Sequence, residues 1–220
     1  YLAAASSGHG AVPGVPHAGP AGQGHAAFNG PSWLLVMIGS GIAGAQSVVG
    51  EHASGLIRVT LAAVPDRRRV TLAKAVVVAS VMAATALVLA GGGLALAAVT
   101  APGSPLAGVD VPSAIGASAV VLPACALAGM AFGALLRHAA PAGFATCAVL
   151  GFGPLLLRPD GNRWATDLAN TLPYYAWGRL TAAVTGSGGT MTVAVAWFTL
   201  AAWAVVSVVI TAVVLDRRDV

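Results

Sequence analysis

Charged residues are scarce in this sequence. Its 220 residues include only 11 Lys or Arg and 7 Asp or Glu, together 8% of the chain, whereas hydrophobic residues make up 57%. A soluble domain carries about 25% charged residues, and so few charges could not cover the surface of a soluble protein of this size. The scarcity of charge excludes a soluble globular enzyme, and the high hydrophobic content excludes a disordered chain.

Cysteine is almost absent, and no metal-binding pattern accompanies it. Cys125 and Cys147 both lie inside apolar runs, so we interpret them as small membrane-buried side chains rather than as a disulfide or metal pair. His9, His17 and His25 recur every eight residues. Imidazole is a common metal ligand, but no Cys, Asp or Glu stands near them, and we expect incidental histidines and no metal site.

Long apolar runs are what the sequence has in abundance. A bilayer-crossing helix needs about 20 mostly apolar residues, and five segments approach or exceed this length with charged residues only at their edges. We therefore predict an all-α polytopic membrane protein of the cell membrane, with spans over residues 31–49, 75–99, 112–136, 141–157 and 191–215. Arg137, His138 and Pro141 predict a hairpin turn before the short fourth span.

The basic residues divide unequally between the two sides of these spans. Segments 50–74 and 137–140 together with the C-terminal tail carry eight Lys or Arg, whereas the segments on the other side carry three. Because cytoplasmic loops are enriched in Lys and Arg, we predict that the loop 50–74 and the C-terminus are cytoplasmic. The few cations lie between apolar runs, so their arrangement indicates membrane topology and no nucleic-acid partner.

The same orientation places residues 1–30 outside. This segment is rich in Gly, Pro, Ala and Ser, a composition typical of a flexible loop. Five spans with an outer N-terminus also lead us to expect a sixth span upstream of Tyr1. We accordingly divide the chain into an outer loop, 1–30, and a transmembrane domain, 31–220.

Three glycines in the first predicted span form a misleading motif. Gly39, Gly41 and Gly44 have the spacing G-x-G-x-x-G, but a dinucleotide-binding motif must follow a strand and open a helix. Inside an apolar span, small residues let helices approach closely. We therefore predict close helix packing here and no nucleotide site.

The outer segment 158–190 is too polar to span a bilayer. It contains Trp164, Tyr174, Tyr175 and Trp177, and amphipathic aromatic residues favour the headgroup level. We predict a short interfacial helix over 164–172, ended by Pro173, with the aromatic residues as membrane anchors. Contact with a substrate is the alternative.

The segment that joins the first two spans is the most informative part of the chain. Residues 54–64 could form a short amphipathic helix that Pro65 ends, because the residue before a proline disfavours the α conformation. A charged turn, 66–69, follows. Such an element can lie in the membrane interface, dock in a groove of a soluble partner, or serve only to fix topology.

This loop resembles the first cytoplasmic loop of the type-2 ATP-binding-cassette (ABC) permeases. Many bacterial members have a pattern close to E-x-x-x-G-x-I-R-x-T-L-A-A-x-P-x-R, followed by a Lys that opens the next helix. The positions that match here are Glu51, Gly55, Ile57, Arg58, Thr60, Leu61, Ala62, Ala63, Pro65, Arg67 and Lys74. Two weaker similarities follow in the same order along the chain, namely Leu172-Pro173 with Gly178, and Trp203 followed by Arg217-Arg218-Asp219.

The resemblance implies a six-span permease subunit that pairs with a second permease subunit, identical or not, and with a separate ATPase. The loop 50–74 would be the ATPase-coupling element. ATP and Mg would bind the partner, since this chain has no G-x-x-x-x-G-K-[ST] motif and would hold no cofactor or catalytic residue of its own. Most members of the family resemble exporters, so we expect export.

The predicted spans lack the intramembrane charges that mark ion-coupled transport. This lack suits an apolar or amphipathic substrate, with hydroxyls such as those of Thr85, Ser118 and Thr146 along a pathway. A membrane assembly partner and a membrane enzyme are the alternative classes. The enzyme would use His52 or His138 with Glu51 or Asp66, but none of these has a recognisable catalytic spacing.

Overall fold

The protein is a bundle of long helices. The computed structural model describes residues 28–54, 67–100, 110–157, 163–181 and 191–217. The first three helices are α1 (Gly30–Ser54), α2 (Arg67–Thr100) and α3 (Val111–Leu136). The chain then forms α4 (Ala139–Thr146), a π-helical segment (Cys147–Phe152), α5 (Gly153–Leu156), α6 (Arg163–Asn170), α7 (Pro173–Thr181) and α8 (Val193–Arg217).

Five helical stretches are long and apolar enough to cross a membrane. They are α1, α2, α3, α8 and the continuous stretch of α4, the π-helical segment and α5, which we call the fourth span. Each coincides with one of the five predicted spans, and the described ranges contain no strand. The prediction of an all-α polytopic membrane protein is therefore confirmed.

The largest difference at a span boundary is at the start of α2. This helix begins at Arg67, well before the apolar run that the sequence marks at residue 75. The first turn of α2 is Arg67, Arg68, Arg69 and Val70. A run of apolar residues shows how much of a helix can lie in lipid, but it does not show where the helix itself begins, since Arg is a good helix former.

Helix α3 occupies the centre of the bundle. Two thirds of its apolar window (67%) is buried within the protein, against 11% for α2 and 17% for α8. Helix α3 contacts α1, α2, α4, α7 and α8. Its buried face consists largely of Ala and Gly, and such small side chains let neighbouring helices pack closely from several sides.

Glycines bring α1 and α3 into contact backbone to backbone. A Cβ atom added at Gly44 would lie 1.9 Å from the carbonyl oxygen of Ala126, and one added at Gly129 would lie 1.8 Å from that of Gly41. Neither site has room for any side chain. The predicted close packing is confirmed for Gly41 and Gly44, whereas Gly39 has nothing within 4 Å and takes no part in it.

The fourth span packs against α1 and departs from regular α-helical geometry near its end. Its π-helical segment precedes Pro154, whose missing N–H prevents a regular hydrogen bond to the preceding turn. The carbonyl of Pro154, in the last turn of the span, accepts a hydrogen bond of 2.8 Å from the hydroxyl of Tyr175. A side chain of α7 thus satisfies one of the carbonyls that a helix end leaves without an internal partner.

Helices α6 and α7 form a hairpin that enters the bundle beside α8. At its turn, the carbonyl of Thr171 accepts a hydrogen bond of 2.7 Å from Nε1 of Trp203. Trp203 lies ten residues after Val193, the first residue of α8, which is about 15 Å along the helix at 1.5 Å per residue. At the other end of α7, Nε of Arg179 donates to the carbonyl of Met191 at 2.9 Å. Helix α7 therefore runs alongside the first half of α8.

This hairpin differs from the predicted interfacial helix. The helix over 164–172 exists as α6, but it ends at Asn170, and Pro173 begins α7 rather than only ending α6. Tyr175 and Trp177 are 5% and 0% exposed, so their prediction as membrane anchors is wrong. Trp164 is 67% exposed, and its role as an anchor stays a prediction.

Trp177 instead forms the centre of an aromatic cluster. Its ring centroid lies 5.2 Å from that of Trp33 and 6.4 Å from that of Tyr174, and Phe28 stacks on Trp33 at 6.2 Å. The indole N–H of Trp177 donates to the hydroxyl of Ser118 in α3 at 3.0 Å. The cluster fastens α7 to α1 and α3 by apolar burial and one buried hydrogen bond.

Candidate coupling site at the loop end

The predicted coupling residues lie at the end of the bundle where α1 ends and α2 begins, which we call the loop end. Glu51 is in the last turn of α1, Arg67 is the first residue of α2, and Lys74 is further along α2. The remaining six predicted residues, and most of the predicted helix over 54–64, lie outside the described residues: Gly55, Ile57, Arg58, Thr60, Leu61 and Pro65.

Lys74 connects the two arms of the loop. Its Nζ donates a hydrogen bond to the backbone carbonyl of Ser47 in α1. The hydroxyl of Ser47 in turn donates to the carbonyl of Gly44 at 2.7 Å. A hydrogen bond from an ammonium group is stronger than one between neutral groups, so Lys74 holds the start of α2 against the end of α1.

An apolar cluster lies directly beside this bond. Val48 of α1 and Ala75 of α2 pack with Leu127, Met130 and Ala134 of α3. Partly buried residues from the end of α8, Val214 and Leu215, complete what we call the loop-end cluster. The arms of the loop are therefore packed on the central helix and on α8, so a force applied to the loop would reach four helices.

Further cations surround the same end of the bundle. Arg69 is exposed near the start of α2. Arg137 ends α3 in the left-handed conformation, with φ of 56°, and its backbone N–H donates to the carbonyl of Gly133 at 2.9 Å. This left-handed residue turns the chain sharply into α4, as the predicted hairpin turn at 137–140 required.

Ser47 is the contributor to this site that the sequence did not indicate. It takes part through a backbone carbonyl, which every residue has, so no residue type could have marked it. Lys74, by contrast, was predicted from its place in the loop pattern, and its bond to the facing helix gives that position a structural role.

The hydroxyls predicted to line a transport pathway are hydrogen-bonded to other groups of the protein. Thr146 is fully buried, and its hydroxyl donates to the carbonyl of Ala142 at 2.8 Å. The hydroxyl of Ser118 accepts a hydrogen bond from the indole N–H of Trp177. Thr85 donates to the carbonyl of Val81 at 2.9 Å. These bonds hold the side chains within or between helices and do not favour their prediction as pathway groups.

The five spans and their packing define an all-α, multi-pass membrane protein. No family model, no curated protein and no solved structure matches the chain. A functional assignment therefore depends on the loop pattern and on the geometry that surrounds it.

Proposed function

We propose that this chain is the membrane-spanning permease subunit of an ABC transporter. In this proposal it works as an exporter in the cell membrane, pairs with a second permease subunit and receives its energy from a separate ATPase that binds ATP and Mg. The coupling residues are the nine predicted ones: Glu51, Gly55, Ile57, Arg58, Thr60, Leu61, Pro65, Arg67 and Lys74.

The main support for the proposal is the sequence pattern of the loop between α1 and α2, together with the hydrogen bond and the packing that join the ends of these two helices. The pattern places an apolar face and several arginines between α1 and α2, a composition suited to docking on a soluble partner with acidic groups. The bond from Lys74 to Ser47 and the loop-end cluster join that segment to the rest of the bundle.

The mechanism is alternating access. Closure of the ATPase upon ATP binding moves the two coupling loops of the permease pair together. Because α1 contacts α3 backbone to backbone and Lys74 bonds α2 to α1, a displacement of the loop would move these three helices together. ATP drives the change only through a difference in its affinity for the two states.

The distribution of charge supports an external source of energy. Within the described spans the charged residues occur near the helix ends, whereas ion-coupled transporters carry ionisable residues in their interior. The apolar interior also suits an apolar or amphipathic substrate.

The experiment is co-purification of the tagged protein from its native membrane with Arg58→Ala as the test variant. We expect a P-loop ATPase to accompany the wild-type protein, and its yield to fall about tenfold with Arg58→Ala, since a hydrogen bond to a charged group contributes about 1.5 to 3 kcal/mol. ATPase and transport activity should become uncoupled in the same variant, and also when Gly55 is replaced, while the protein remains inserted.

Arg69→Ala is the matched control, because Arg69 lies near the same loop but outside the pattern. It should retain the ATPase at the wild-type yield. If Arg58→Ala recovered as much ATPase as the wild-type protein, Arg58 would have no role in coupling to the ATPase. Recovery of a non-ATPase partner would favour an assembly protein, and hydrolytic activity of the isolated chain would favour an enzyme.

A further inference from the structure

The two ends of the helix bundle carry different charge. Helices α1, α3 and α8 end and α2 begins at the loop end, and we call the opposite end the outer end. Among the described residues, the charges of the outer end balance: Asp110, Arg163, Asp167 and Arg179. Those of the loop end comprise six basic and two acidic residues: Glu51, Arg67, Arg68, Arg69, Lys74, Arg137, Asp216 and Arg217. The loop end is therefore strongly cationic.

Helix α2 presents two of these cations on different sides. Lys74 is partly buried and donates to the carbonyl of Ser47 in α1, whereas Arg69 is exposed. The two residues are five positions apart, which is about 140° around a helix of 3.6 residues per turn. Lys74 thus fastens α2 to its neighbour, and Arg69 lies on the outer surface of the bundle.

The exposed face of α2 becomes apolar directly after Arg69. Leu72 and Val76 follow three and seven residues later on the same face of the helix, and they are 48% and 66% exposed. Because α2 is one of the spans, lipid chains cover this face. The apolar stem of an arginine can lie along such a surface while its guanidinium reaches the headgroup level, so Arg69 stands at the edge of the lipid.

The end of α3 has the same arrangement. This helix is buried along most of its length, and the large apolar side chains that it exposes are those of Leu135 and Leu136, at 37% and 38%. Arg137, which is partly exposed, follows at once. A second arginine therefore lies next to an exposed apolar surface at the cationic end of the bundle.

We propose that the loop end binds anionic phospholipids of the surrounding leaflet, with Arg69 and Arg137 donating hydrogen bonds to the lipid phosphates. Arginine can donate two parallel hydrogen bonds to one phosphate, and clusters of about four to eight basic residues beside a span attract anionic lipids. The exposed leucines beside each arginine contact the acyl chains, which a soluble anion does not have. Neither arginine is one of the nine coupling residues, so this proposal does not rest on the transport role.

The test is quenching of a fluorescent probe by brominated lipids in nanodiscs. In a background without Cys125 and Cys147, a bimane on Ala73→Cys lies on the exposed face of α2, one turn after Arg69. A cation near an anionic membrane surface contributes about 1 kcal/mol, which is about fivefold in binding. We therefore expect brominated phosphatidylglycerol to be preferred about fivefold over brominated phosphatidylcholine, and Arg69→Gln to abolish the preference.

A second probe position tests the second arginine in the same way. Ala140 is exposed near Arg137, so a bimane on Ala140→Cys should show the same preference for phosphatidylglycerol, and Arg137→Gln should abolish it. Quenching by brominated phosphatidylcholine should be the same with and without each substitution. That result shows that the probe still faces lipid and that the bundle is intact.

Arg163→Gln is the matched control, because Arg163 is an exposed arginine at the outer end. It should leave the preference unchanged at both probe positions. Equal quenching of the wild-type arginines' neighbourhood by the two lipids would assign the cationic end to a soluble acidic partner and overturn the proposal. An unchanged preference in either Arg69→Gln or Arg137→Gln would overturn it as well.

Discussion

At the scale of single residues, glycines determine how close two of the spans can come. Gly44 and Gly129 have no room for a Cβ atom between α1 and α3, because the nearest atoms belong to the backbone of the facing helix. A backbone neighbour cannot rotate out of the way as a side chain can. Substitution at these sites must push the two helices apart.

Gly44→Val tests this contact. Overpacking a tight interface costs about 1 to 3 kcal/mol, so we expect the free energy of unfolding in detergent to fall by about that amount. Gly39→Val is the control on the same helix, since nothing lies within 4 Å of its Cβ position. Equal stability of the two variants, measured by chemical denaturation, would contradict the close approach.

The bond between Trp177 and Ser118 is a second contact that can be measured at this scale. Both side chains are fully buried, so the hydrogen bond between them should contribute about 1 kcal/mol to stability. A double-mutant cycle with Trp177→Phe and Ser118→Ala isolates that energy from the packing of the ring. Purely additive effects of the two substitutions would show that the bond contributes nothing.

At the scale of helices, the sequence predicted the five spans but did not predict α7. The spans can be recognised from the sequence alone, because each is an apolar run about as long as a bilayer-crossing helix needs. Helix α7 has only nine residues and includes Gly178 and Arg179, so no run marks it. Tyr175 and Trp177 are buried because α3 and the fourth span lie beside them, and neither neighbour is visible in the local sequence.

The hairpin of α6 and α7 makes a prediction about access to water. Thr171 and Trp164 are both exposed on the protein itself, but Thr171 lies deep along α8 and should be covered by lipid. In a background without Cys125 and Cys147, we expect Thr171→Cys to react much more slowly with a membrane-impermeant maleimide than Trp164→Cys. The labelling rates are measured in vesicles whose two membrane faces are both accessible to the reagent. Similar rates for the two variants would show that the turn between α6 and α7 lies at the membrane surface.

At the scale of the whole molecule, contacts at the loop end connect the loop between α1 and α2 to the helix bundle. The sequence could indicate the loop through its pattern, and Lys74 was found in this way. The acceptor on Ser47 and the packing of the loop end against Met130 and Leu215 could not be predicted, because they join positions far apart in the chain. The charge bias of the loops predicts which side of the membrane the loop end faces.

The accessibility of Arg68→Cys in intact cells tests the central claim most directly, since a loop that grips an ATPase must face the cytoplasm. In the background without Cys125 and Cys147, we predict that an impermeant thiol reagent labels Arg68→Cys only after the cells are opened. Trp164→Cys, on the opposite side, should be labelled in intact cells and serves as the control. Labelling of Arg68→Cys in intact cells would place the loop outside and contradict the proposed coupling to an ATPase.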